Sequence, residues 1–278
     1  MAVNGAMNWF PAPGKLNLFL HVLGRRTDGY HELQTLFRLV DRADRVGVSL
    51  RKDGEVRFSG EFGEQNLCIK AARLLKDETR SSLGCDLALE KILPIGGGMG
   101  GGSSDAATVL LALNRLWDLH LERKRLMQIG LKLGADVPVF LFGKNALGEG
   151  IGERLTPIPL PDAWYLVLEP QVSVSTKEIF ENALTHAAKG IKIPPFFPGV
   201  GRNDLEPVVT ARYPEVAAHL AWLRSRCSQA RMTGSGACVF AEFAAEGEAR
   251  AFQSELPDTM RGFVARGIEQ HPLHDWAN

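Results

Sequence analysis

The alternation of apolar and polar residues divides the chain into strand-like and helix-like segments around one glycine-rich stretch. Before that stretch, Leu87 and Leu89 alternate with less apolar neighbours, which is typical of a half-buried strand. After it, apolar residues recur at helical spacing over residues 105–116, and the hydroxyl of Ser103 or Ser104 can cap this helix. The pattern predicts a strand, a glycine loop and a helix in direct succession.

A second alternation covers residues 15–22 and predicts a strand near the N-terminus. In a regular strand the aliphatic side chains share one face, and Lys15 and Asn17 share the other. From spacing alone, such a lysine is most often a solvated residue at the edge of a sheet. The pattern places on the first face Leu16, Leu18, Leu20 and Val22, and on the second Lys15, Asn17, Phe19 and His21.

The Asp28–Gly29 dipeptide predicts a tight turn after this strand. If the chain returns as a hairpin, we expect Tyr30 and His31 to lie close to Lys15 and Asn17. By itself, a tyrosine–histidine pair after a turn is more often simple packing.

A break in regular structure is predicted at residues 156–161, where every second residue is proline. We predict a domain boundary there, with one domain at residues 1–158 and another at residues 159–278. The mixture of strands and helices on both sides predicts an α+β protein. In the second domain the pattern predicts strands at 164–167, 238–241 and 263–266, helices at 177–188, 214–226 and 246–255, and a proline-rich loop at 193–202.

Composition limits the class of protein and its partners. A chain of 278 residues with 45% hydrophobic and 23% charged residues is typical of a soluble globular protein of about two domains. The 32 basic and 32 acidic residues cancel, so charge does not favour a nucleic-acid or membrane partner. No secretion signal or long apolar run is visible, and we expect a cytoplasmic protein. The four cysteines and seven histidines lack the spacing of a metal or redox site.

Glycine fills residues 96–102 apart from Met99. Because glycine lacks a Cβ, successive backbone amides can close around phosphate oxygens, and the helix that follows adds unpaired amides and the positive end of its dipole. A flexible linker is the alternative, although linkers are rich in polar residues and are not followed at once by a strong helix. The stretch is therefore predicted to bind phosphates.

Two familiar phosphate-binding motifs fit this loop poorly. No lysine stands between Gly96 and Leu113, so the loop is not that of an ordinary P-loop NTPase. The spacing Gly96-x-Gly98-x-x-Gly101 matches the dinucleotide fingerprint, but Asp118, near the expected acidic position, ends a helix rather than a second strand. A nicotinamide-dependent oxidoreductase is the weaker alternative.

Asp136 is a further candidate for chemistry. It follows Gly134, a typical residue after the end of a helix, and precedes Val137–Pro138. Asp136 can be the N-cap of another helix with proline in its first turn, or it can be a base or an anchor for a lysine, and the residues alone leave both open. A second glycine turn, at residues 233–236, is by default a plain β-turn.

Taken in order, five segments of the chain resemble the GHMP kinase superfamily. The glycine triplets on either side of Met99 and the Tyr30–His31 pair resemble the branch of that superfamily whose substrate carries a cytidyl group. The resemblance implies a two-domain α+β fold, in which substrate lies between a ribosomal-protein-S5-domain-2-like α/β domain with the ATP loop and a ferredoxin-like C-terminal domain. The five segments are residues 12–18, 28–33, 94–104, 134–138 and 233–238.

By this resemblance, Lys15 and Asp136 are the catalytic pair. Asp136 would accept or orient the proton of the attacking hydroxyl, while Lys15 would favour the carboxylate form and neutralise charge near the transferred phosphoryl group. The residues implied to bind ATP are Asn66, Leu67, Pro94, Ile95, Gly96, Gly97, Gly98, Met99, Gly100, Gly101, Gly102, Ser103 and Ser104.

The resemblance also implies a clamp for the cytosine ring. Tyr30 and Phe180 would stack on the ring and His31 would contact its polar edge. Asn17 would face the reacting sugar alcohol, and Thr176 would line the same cleft. For Phe180, packing on a helix face is nearly as good an explanation as stacking.

Mg²⁺ is implied as the companion of ATP, with Ser103 or Ser104 as its protein ligand. Asp105 follows these serines at a position where relatives often carry asparagine. Its carboxylate adds negative charge beside the triphosphate, and the sequence leaves open whether it turns outward or contacts the metal.

The activity implied is ATP-dependent phosphorylation of the 2-hydroxyl of a cytidyl-linked methylerythritol to the 2-phosphate, in the non-mevalonate route to isoprenoid precursors. The alternatives are a superfamily kinase for mevalonate-, homoserine- or sugar-type substrates, the oxidoreductase, and a non-catalytic nucleotide-binding regulator, which would be expected to have lost Lys15 or Asp136. We expect ATP and a small-molecule substrate as partners, no nucleic acid or membrane, and a monomer or weak homodimer.

Overall fold

The computed structural model describes residues 6–60, 63–183 and 201–277. The end of the helix predicted at 177–188 and most of the proline-rich loop predicted at 193–202 lie outside the described residues. Within these three ranges, no helix is both long enough and apolar enough to cross a lipid bilayer.

A long antiparallel hairpin of β1 (Asn8–Arg25) and β2 (His31–Arg51) runs through the middle of the molecule. The turn forms where the sequence predicts it, so Tyr30 and His31 lie at the tip of the hairpin. Lys15 lies far from that tip, because the strands are long and the residues between them pair almost continuously. The expectation that Tyr30 and His31 return beside Lys15 and its neighbours is therefore wrong.

The side chains of β1 do not alternate as predicted beyond Asn17. A bulge between Asn17 and Phe19 shifts the register, and a bulge turns successive side chains to the same side. Phe19 consequently packs in the same cluster as Leu16, whereas Leu20 and Val22 pack in a different one. Both faces of the strand are buried, so the polar positions along it do not mark a solvent-exposed face.

The N-terminal part of the fold is built around one buried helix. Its elements after the hairpin are β3 (Val56–Ser59), α1 (Leu67–Thr79), β4 (Gly84–Glu90), α2 (Gly101–Leu116), α3 (Arg123–Leu131), α4 (Val137–Phe142), β5 (Ala146–Gly150) and β6 (Arg154–Pro157). β4 is the strand predicted before the glycine loop, and it pairs with both β2 and β3. α2 packs against β1, β2, α1 and α4, which explains its nearly uninterrupted run of apolar and small residues.

Helix α2 begins earlier than the sequence pattern predicts. Its N-cap is Gly100, which has a φ of 71° and no side chain with which to cap the helix. The predicted serine cap is wrong, since Ser103 and Ser104 already lie in the first turn of the helix. The Ser104 hydroxyl instead donates a hydrogen bond of 2.7 Å to the carbonyl of Pro13.

The C-terminal part has the ferredoxin-like arrangement that the resemblance implies. Its elements are β7 (Trp164–Leu168), α5 (Thr176–Ala183), α6 (Glu206–Arg212), α7 (Pro214–Arg224), β8 (Arg231–Met232), β9 (Val239–Phe243), α8 (Glu246–Ser254) and β10 (Gly262–Ile268). The strands lie in the order β10-β7-β9-β8 and neighbours are antiparallel, with helices after the first and third strands. β10 also pairs with β2, so the two parts share one sheet.

The last residues of the chain return to the N-terminal part. Leu273 and Ala277 belong to the hydrophobic cluster around α2, and the Trp276 ring lies 5.2 Å from that of Phe10. Arg123 on α3 donates hydrogen bonds to the carbonyls of Leu141 and His274, which ties this tail to the end of α4. The tail is therefore part of the hydrophobic cluster around α2, although it follows the predicted domain boundary.

His271 in this tail makes stability depend on pH. Its ring is buried, and Nδ1 accepts a hydrogen bond from the Leu273 amide. Burial, with the charges of His274 and Arg123, lowers the pKa of His271 from 6.5 to about 3. Between these values the unfolded chain binds a proton that the folded chain excludes, so the free energy of unfolding falls as pH falls.

We expect the variant H271Q to lose part of this pH dependence. Between pH 7.5 and pH 5.5 the wild type should lose about 1 kcal/mol more stability than H271Q in urea unfolding, from the linkage of one histidine. H120Q, at an exposed ring, is the control and should follow the wild type. Parallel curves for wild type and H271Q would show that His271 is protonated in the folded protein.

Candidate active site

A cavity of about 660 Å³ lies between the glycine loop, the β1–β2 hairpin, the start of α4 and the C-terminal part. Most residues that the sequence analysis selected line it, including the glycines of the loop. Asn66 and Leu67, at the start of α1, also face it, as do Thr176 and Phe180 of α5. The cavity therefore brings segments from the whole chain to one place.

The glycine loop needs glycine because it lies against a second loop. Gly96, Gly98 and Gly100 have φ values of 70°, 75° and 71°, a region that residues with a Cβ rarely adopt. A Cβ on Gly98 would lie 2.3 Å from the carbonyl oxygen of Thr233. The second glycine turn is thus more than a plain β-turn, because it supports the first loop from behind.

The amides of α2 complete this loop as a site for anions. The helix begins within the glycine run, and the unpaired amides of its first turn carry the positive end of the helix dipole. The Met99 side chain is buried and its carbonyl accepts a hydrogen bond from the Lys15 amide, which anchors the middle of the loop to β1. Ile95 remains exposed at the rim of the cavity.

Lys15 is the central charged group of the site. Its side chain is buried, with only 2% of the residue exposed, so the interpretation as a solvated edge lysine is wrong. The ammonium donates to Asn17 Oδ1 at 2.6 Å and to the carbonyl of Gly98 at 2.9 Å, and it lies 3.3 Å from Asp136 Oδ2. A buried ammonium requires this kind of compensation by nearby oxygens.

Asp136 stands at the N-cap position of α4 but does not cap the helix with its side chain. Its carboxylate instead faces Lys15, and its side chain is 37% exposed to the cavity. Of the two explanations left open by the sequence, the geometry therefore favours the anchor for a lysine. A partly exposed carboxylate beside a buried ammonium can receive a hydroxyl group from solution.

Asn17 is held on all sides. Its side-chain Nδ2 donates to Thr35 Oγ1 at 2.8 Å, and its backbone N–H donates to Thr233 Oγ1 at 2.9 Å. With Oδ1 bonded to Lys15, the asparagine links three segments of the chain. Thr233 begins the second glycine turn noted in the sequence, whereas Thr35 was not selected, since nothing in local spacing distinguishes it.

A second ammonium, which the sequence analysis missed, belongs to the half-buried Lys91. It contacts Asp44 and lies 2.8 Å from Asp105 Oδ2, and both Lys91 and Asp105 line the cavity. Asp105 therefore turns inward towards Lys91. Burial, reinforced by the carboxylate of Asp44, raises the pKa of Asp105 to about 7 in spite of Lys91. The position of Lys91 just before the glycine loop was the only available signal.

Asp44 connects the Lys91–Asp105 pair to the start of the glycine loop. It is completely buried and accepts hydrogen bonds from the amides of Ile92 and Leu93, the latter at 2.7 Å. These bonds fix the segment that leads from β4 into the glycine loop. Asp44 lies on β2, far from any motif, and only the pairing of the strands brings it here.

The two serines at the start of α2 have different surroundings. Ser103 lines the cavity. The Ser104 hydroxyl is buried and donates a hydrogen bond to the carbonyl of Pro13. Within the described ranges, no cluster of three histidine, cysteine or acidic side chains could hold a metal ion. Ser103 and the carboxylate of Asp136 are oxygen donors on the cavity wall, which fits Mg²⁺ bound mainly through the phosphates of a ligand.

An aromatic group lies near the tip of the hairpin. The rings of His31 and Phe180 are 5.2 Å apart and tilted by 32°, and Tyr30, the residue before His31, is 57% exposed. Burial, with the charge of Arg25, lowers the pKa of His31, so the ring is neutral near pH 7. Phe180 also packs against the C-terminal core, which leaves both explanations of this residue in place.

Thr176 is joined to the second glycine turn. Its hydroxyl lies 2.8 Å from that of Ser235, so the start of α5 is connected to the turn behind the glycine loop. Thr176 and Phe180 face the cavity together with Leu33, which lies two positions after His31 on β2. The cavity therefore extends from the glycine loop towards the aromatic group.

We expect G98A to destabilise the protein by about 2–4 kcal/mol, because a Cβ would combine a strained φ with a collision against the Thr233 carbonyl. Urea unfolding measures the change. G247A, in α8 where no atom lies within 4 Å of the added carbon, is the matched control and should cost nothing. Equal stability of the two variants would contradict the close contact of the two glycine turns.

Family models of one kinase superfamily match both parts of the chain. The GHMP kinases N-terminal domain matches residues 66–144, and the GHMP kinases C-terminal domain matches residues 196–262. A homoserine kinase from Cytophaga hutchinsonii, 17% identical with a TM-score of 0.70, covers 97% of this chain and 95% of its own, and shares the fold.

Proteins of higher sequence identity to this chain share one name. The 4-diphosphocytidyl-2-C-methyl-D-erythritol kinases of Thiobacillus denitrificans and Nitrosospira multiformis are each 58% identical to this chain; the matches cover 96% of this chain and 98% and 93% of those relatives. A crystal structure of 4-(cytidine 5'-diphospho)-2C-methyl-D-erythritol kinase matches with a TM-score of 0.81 and 33% identity, over 94% of this chain and 99% of that one. The chain therefore belongs to the 4-diphosphocytidyl-2-C-methyl-D-erythritol kinase family of the GHMP kinases.

Proposed function

We propose that this chain transfers the γ-phosphoryl group of ATP to the 2-hydroxyl of 4-diphosphocytidyl-2-C-methyl-D-erythritol, with Lys15 and Asp136 as the catalytic pair. The observation that carries this proposal is the 3.3 Å contact between the Lys15 ammonium and the Asp136 carboxylate, directly beside the Gly98 carbonyl of the glycine loop. An ammonium–carboxylate pair next to a phosphate-binding loop is suited to deliver a hydroxyl group to a phosphoryl group.

The two members of the pair have different tasks. Asp136 is partly exposed, so its carboxylate can receive the substrate hydroxyl and accept or orient the hydroxyl proton. Lys15 is buried and held by oxygens on β1 and in the loop, so its ammonium is a fixed positive charge close to where the phosphoryl group would pass. Phosphoryl transfer depends chiefly on such positioning and charge neutralisation.

The amides of the glycine loop and the first turn of α2 would bind the phosphates of ATP, with Asn66 and Leu67 near the base. Mg²⁺, when bound with ATP, would neutralise charge on the phosphate oxygens. Ser103 is the residue of this chain that best fits as its ligand, because its hydroxyl is on the cavity while that of Ser104 is bonded to Pro13.

The cytidyl end of the substrate is assigned to the tip of the hairpin. A substrate with a nucleobase at one end and a sugar alcohol at the other is long, and Lys15 and Tyr30 are correspondingly far apart along β1 and β2. Tyr30 and Phe180 would stack on the cytosine and the neutral His31 would contact its polar edge. A kinase for a substrate without a nucleobase would have no use for this clamp.

The substrate assignment is tested by measuring ADP release with a panel of acceptors. The cytidyl-linked methylerythritol should be phosphorylated, whereas free polyols, homoserine and mevalonate should not. Turnover of a free acceptor at a comparable kcat/KM would favour another small-molecule kinase of the superfamily.

D136N should abolish most turnover while ATP still binds. Loss of the carboxylate removes the group that handles the hydroxyl proton, and we expect kcat to fall by about 100-fold or more. ADP release measures kcat, and calorimetry measures the Kd of ATP. D162N, at an exposed carboxylate paired with Arg266, is the control. A D136N enzyme with wild-type kcat would remove Asp136 from the catalytic pair.

Y30A should weaken binding of the cytidyl substrate and leave ATP binding unchanged. Loss of one aromatic ring from a stacked base typically costs about 1–3 kcal/mol, which corresponds to a roughly 5- to 150-fold rise in substrate KM. Y30F keeps the ring and should retain a nearly normal KM. L23A, at another exposed apolar side chain of the same hairpin, is the control. An unchanged KM in Y30A would remove the tyrosine from the clamp.

A further inference from the structure

The orientation of the Lys15 ammonium depends on the side chain of Asn17. An ammonium has three hydrogens, and the oxygens near it are Asn17 Oδ1 at 2.6 Å, the Gly98 carbonyl at 2.9 Å and Asp136 Oδ2 at 3.3 Å. The shortest of these contacts is to Asn17. If the Asn17 amide were reversed, its NH₂ group would face the ammonium, and two donors would meet with no acceptor between them.

Thr35 determines which way that amide points. Its hydroxyl donates its single hydrogen to the carbonyl of Phe19 at 2.6 Å, so towards Asn17 it can only accept. It accepts from Asn17 Nδ2 at 2.8 Å. The bonds form a directed chain, in which Lys15 donates to Asn17, Asn17 donates to Thr35, and Thr35 donates to a backbone carbonyl. Only one orientation of the asparagine satisfies it.

Because this series of hydrogen bonds is buried, the Asn17 side chain is restricted to one orientation. Asn17 and Thr35 lie on the wall of the cavity but are exposed by only 2% and 1%, so little water reaches a misplaced group. In such surroundings an unpaired polar group costs more than it would at the surface. The backbone is held as well, because the Asn17 N–H donates to Thr233 Oγ1 at 2.9 Å. On the side chain, Thr233 Oγ1 lies 3.5 Å from Asn17 Oδ1, a long contact, whereas Thr35 accepts from Nδ2 at 2.8 Å and is the stronger constraint on its orientation.

We propose that Thr35 is a positioning residue of this kinase, which holds the Asn17 amide and through it the Lys15 ammonium in the orientation used for phosphoryl transfer. The proposal rests on the proposed function, in which Lys15 neutralises charge on the transferred group. Asn17 accordingly acts first as the support of Lys15, whether or not it also contacts the sugar alcohol. Thr35 lines the cavity with 1% of its surface exposed, and its role in the proposal is to hold Asn17 rather than to bind ATP or substrate.

The test is the isosteric variant T35V. It removes the hydroxyl and leaves the buried Asn17 Nδ2 without its acceptor, so the amide is no longer held from that side. We expect kcat to fall about tenfold, while the KM values of ATP and of the cytidyl substrate stay within about twofold. T35S restores the hydroxyl and should recover kcat. T35A, which removes the same hydroxyl without adding a methyl group, is measured beside T35V in case the valine variant does not fold.

Thr108 supplies a matched control. It is buried in α2, and its hydroxyl has no hydrogen-bond partner within the described part of the chain. T108V therefore makes the same chemical change without breaking a hydrogen bond, and kcat should be unchanged. An equal loss of kcat in T108V and T35V would show a general effect of the substitution and overturn the proposal.

A double-mutant cycle shows whether Thr35 acts through Asn17. In the N17A background the amide is gone, so T35V should have no further effect on kcat. Additive losses would overturn the proposal, as would wild-type kcat in both T35V and T35A, whatever their melting temperatures. The catalytic pair is tested separately by D136N: an inactive D136N with a fully active T35V rejects only the role of Thr35, whereas an active D136N rejects the pair.

Discussion

A buried ammonium is the feature on which the rest of the site depends. Lys15 has almost no contact with solvent. An uncompensated charge in such a place would lower the free energy of unfolding by several kcal/mol, a large part of the stability of a typical domain. Compensation comes from three separate segments: an asparagine on the same strand, a carbonyl of the glycine loop and a carboxylate before α4. The fold must bring these three together before the lysine can be buried at all.

This requirement explains why the two glycine turns are in such close contact. The Gly98 carbonyl can reach Lys15 because the loop lies flat against the turn that contains Thr233, with no room for a Cβ between them. The same turn supplies the hydroxyl that holds the Asn17 backbone and another that meets Thr176. The second turn belongs to the C-terminal part, so the N-terminal phosphate loop is shaped by residues from the other end of the chain.

The hairpin gives the site its length. Its middle carries Lys15 and Asn17, and its tip carries Tyr30 and His31 next to Phe180. A single stiff element thus fixes the separation between the reacting end and the cytidyl end of the proposed substrate. The C-terminal tail supports the same assembly from outside, since it binds Arg123 and the end of the helix that follows Asp136.

Local sequence was enough to predict what depends on short-range periodicity and backbone chemistry. The strand before the glycine loop, the helix after it, the turn at Asp28–Gly29, the strands β7, β9 and β10 and the helices α7 and α8 were predicted within a few residues, whereas α6 and β8 were missed. The glycine loop could be identified because a run without side chains has few uses besides close approach to a ligand. The resemblance to a kinase superfamily then selected Lys15 and Asp136, which their own neighbours did not.

Tertiary structure alone decided the properties that depend on register and burial. The bulge after Asn17 breaks the alternation that the residues indicate, and the length of the hairpin separates His31 from Lys15. The contacts of Lys91 with Asp44 and Asp105, and the support of Asn17 by Thr35, join residues that no local pattern relates. A sequence pattern reports the surroundings of a residue along the chain, whereas charge compensation depends on which distant oxygens the packing brings within about 3 Å.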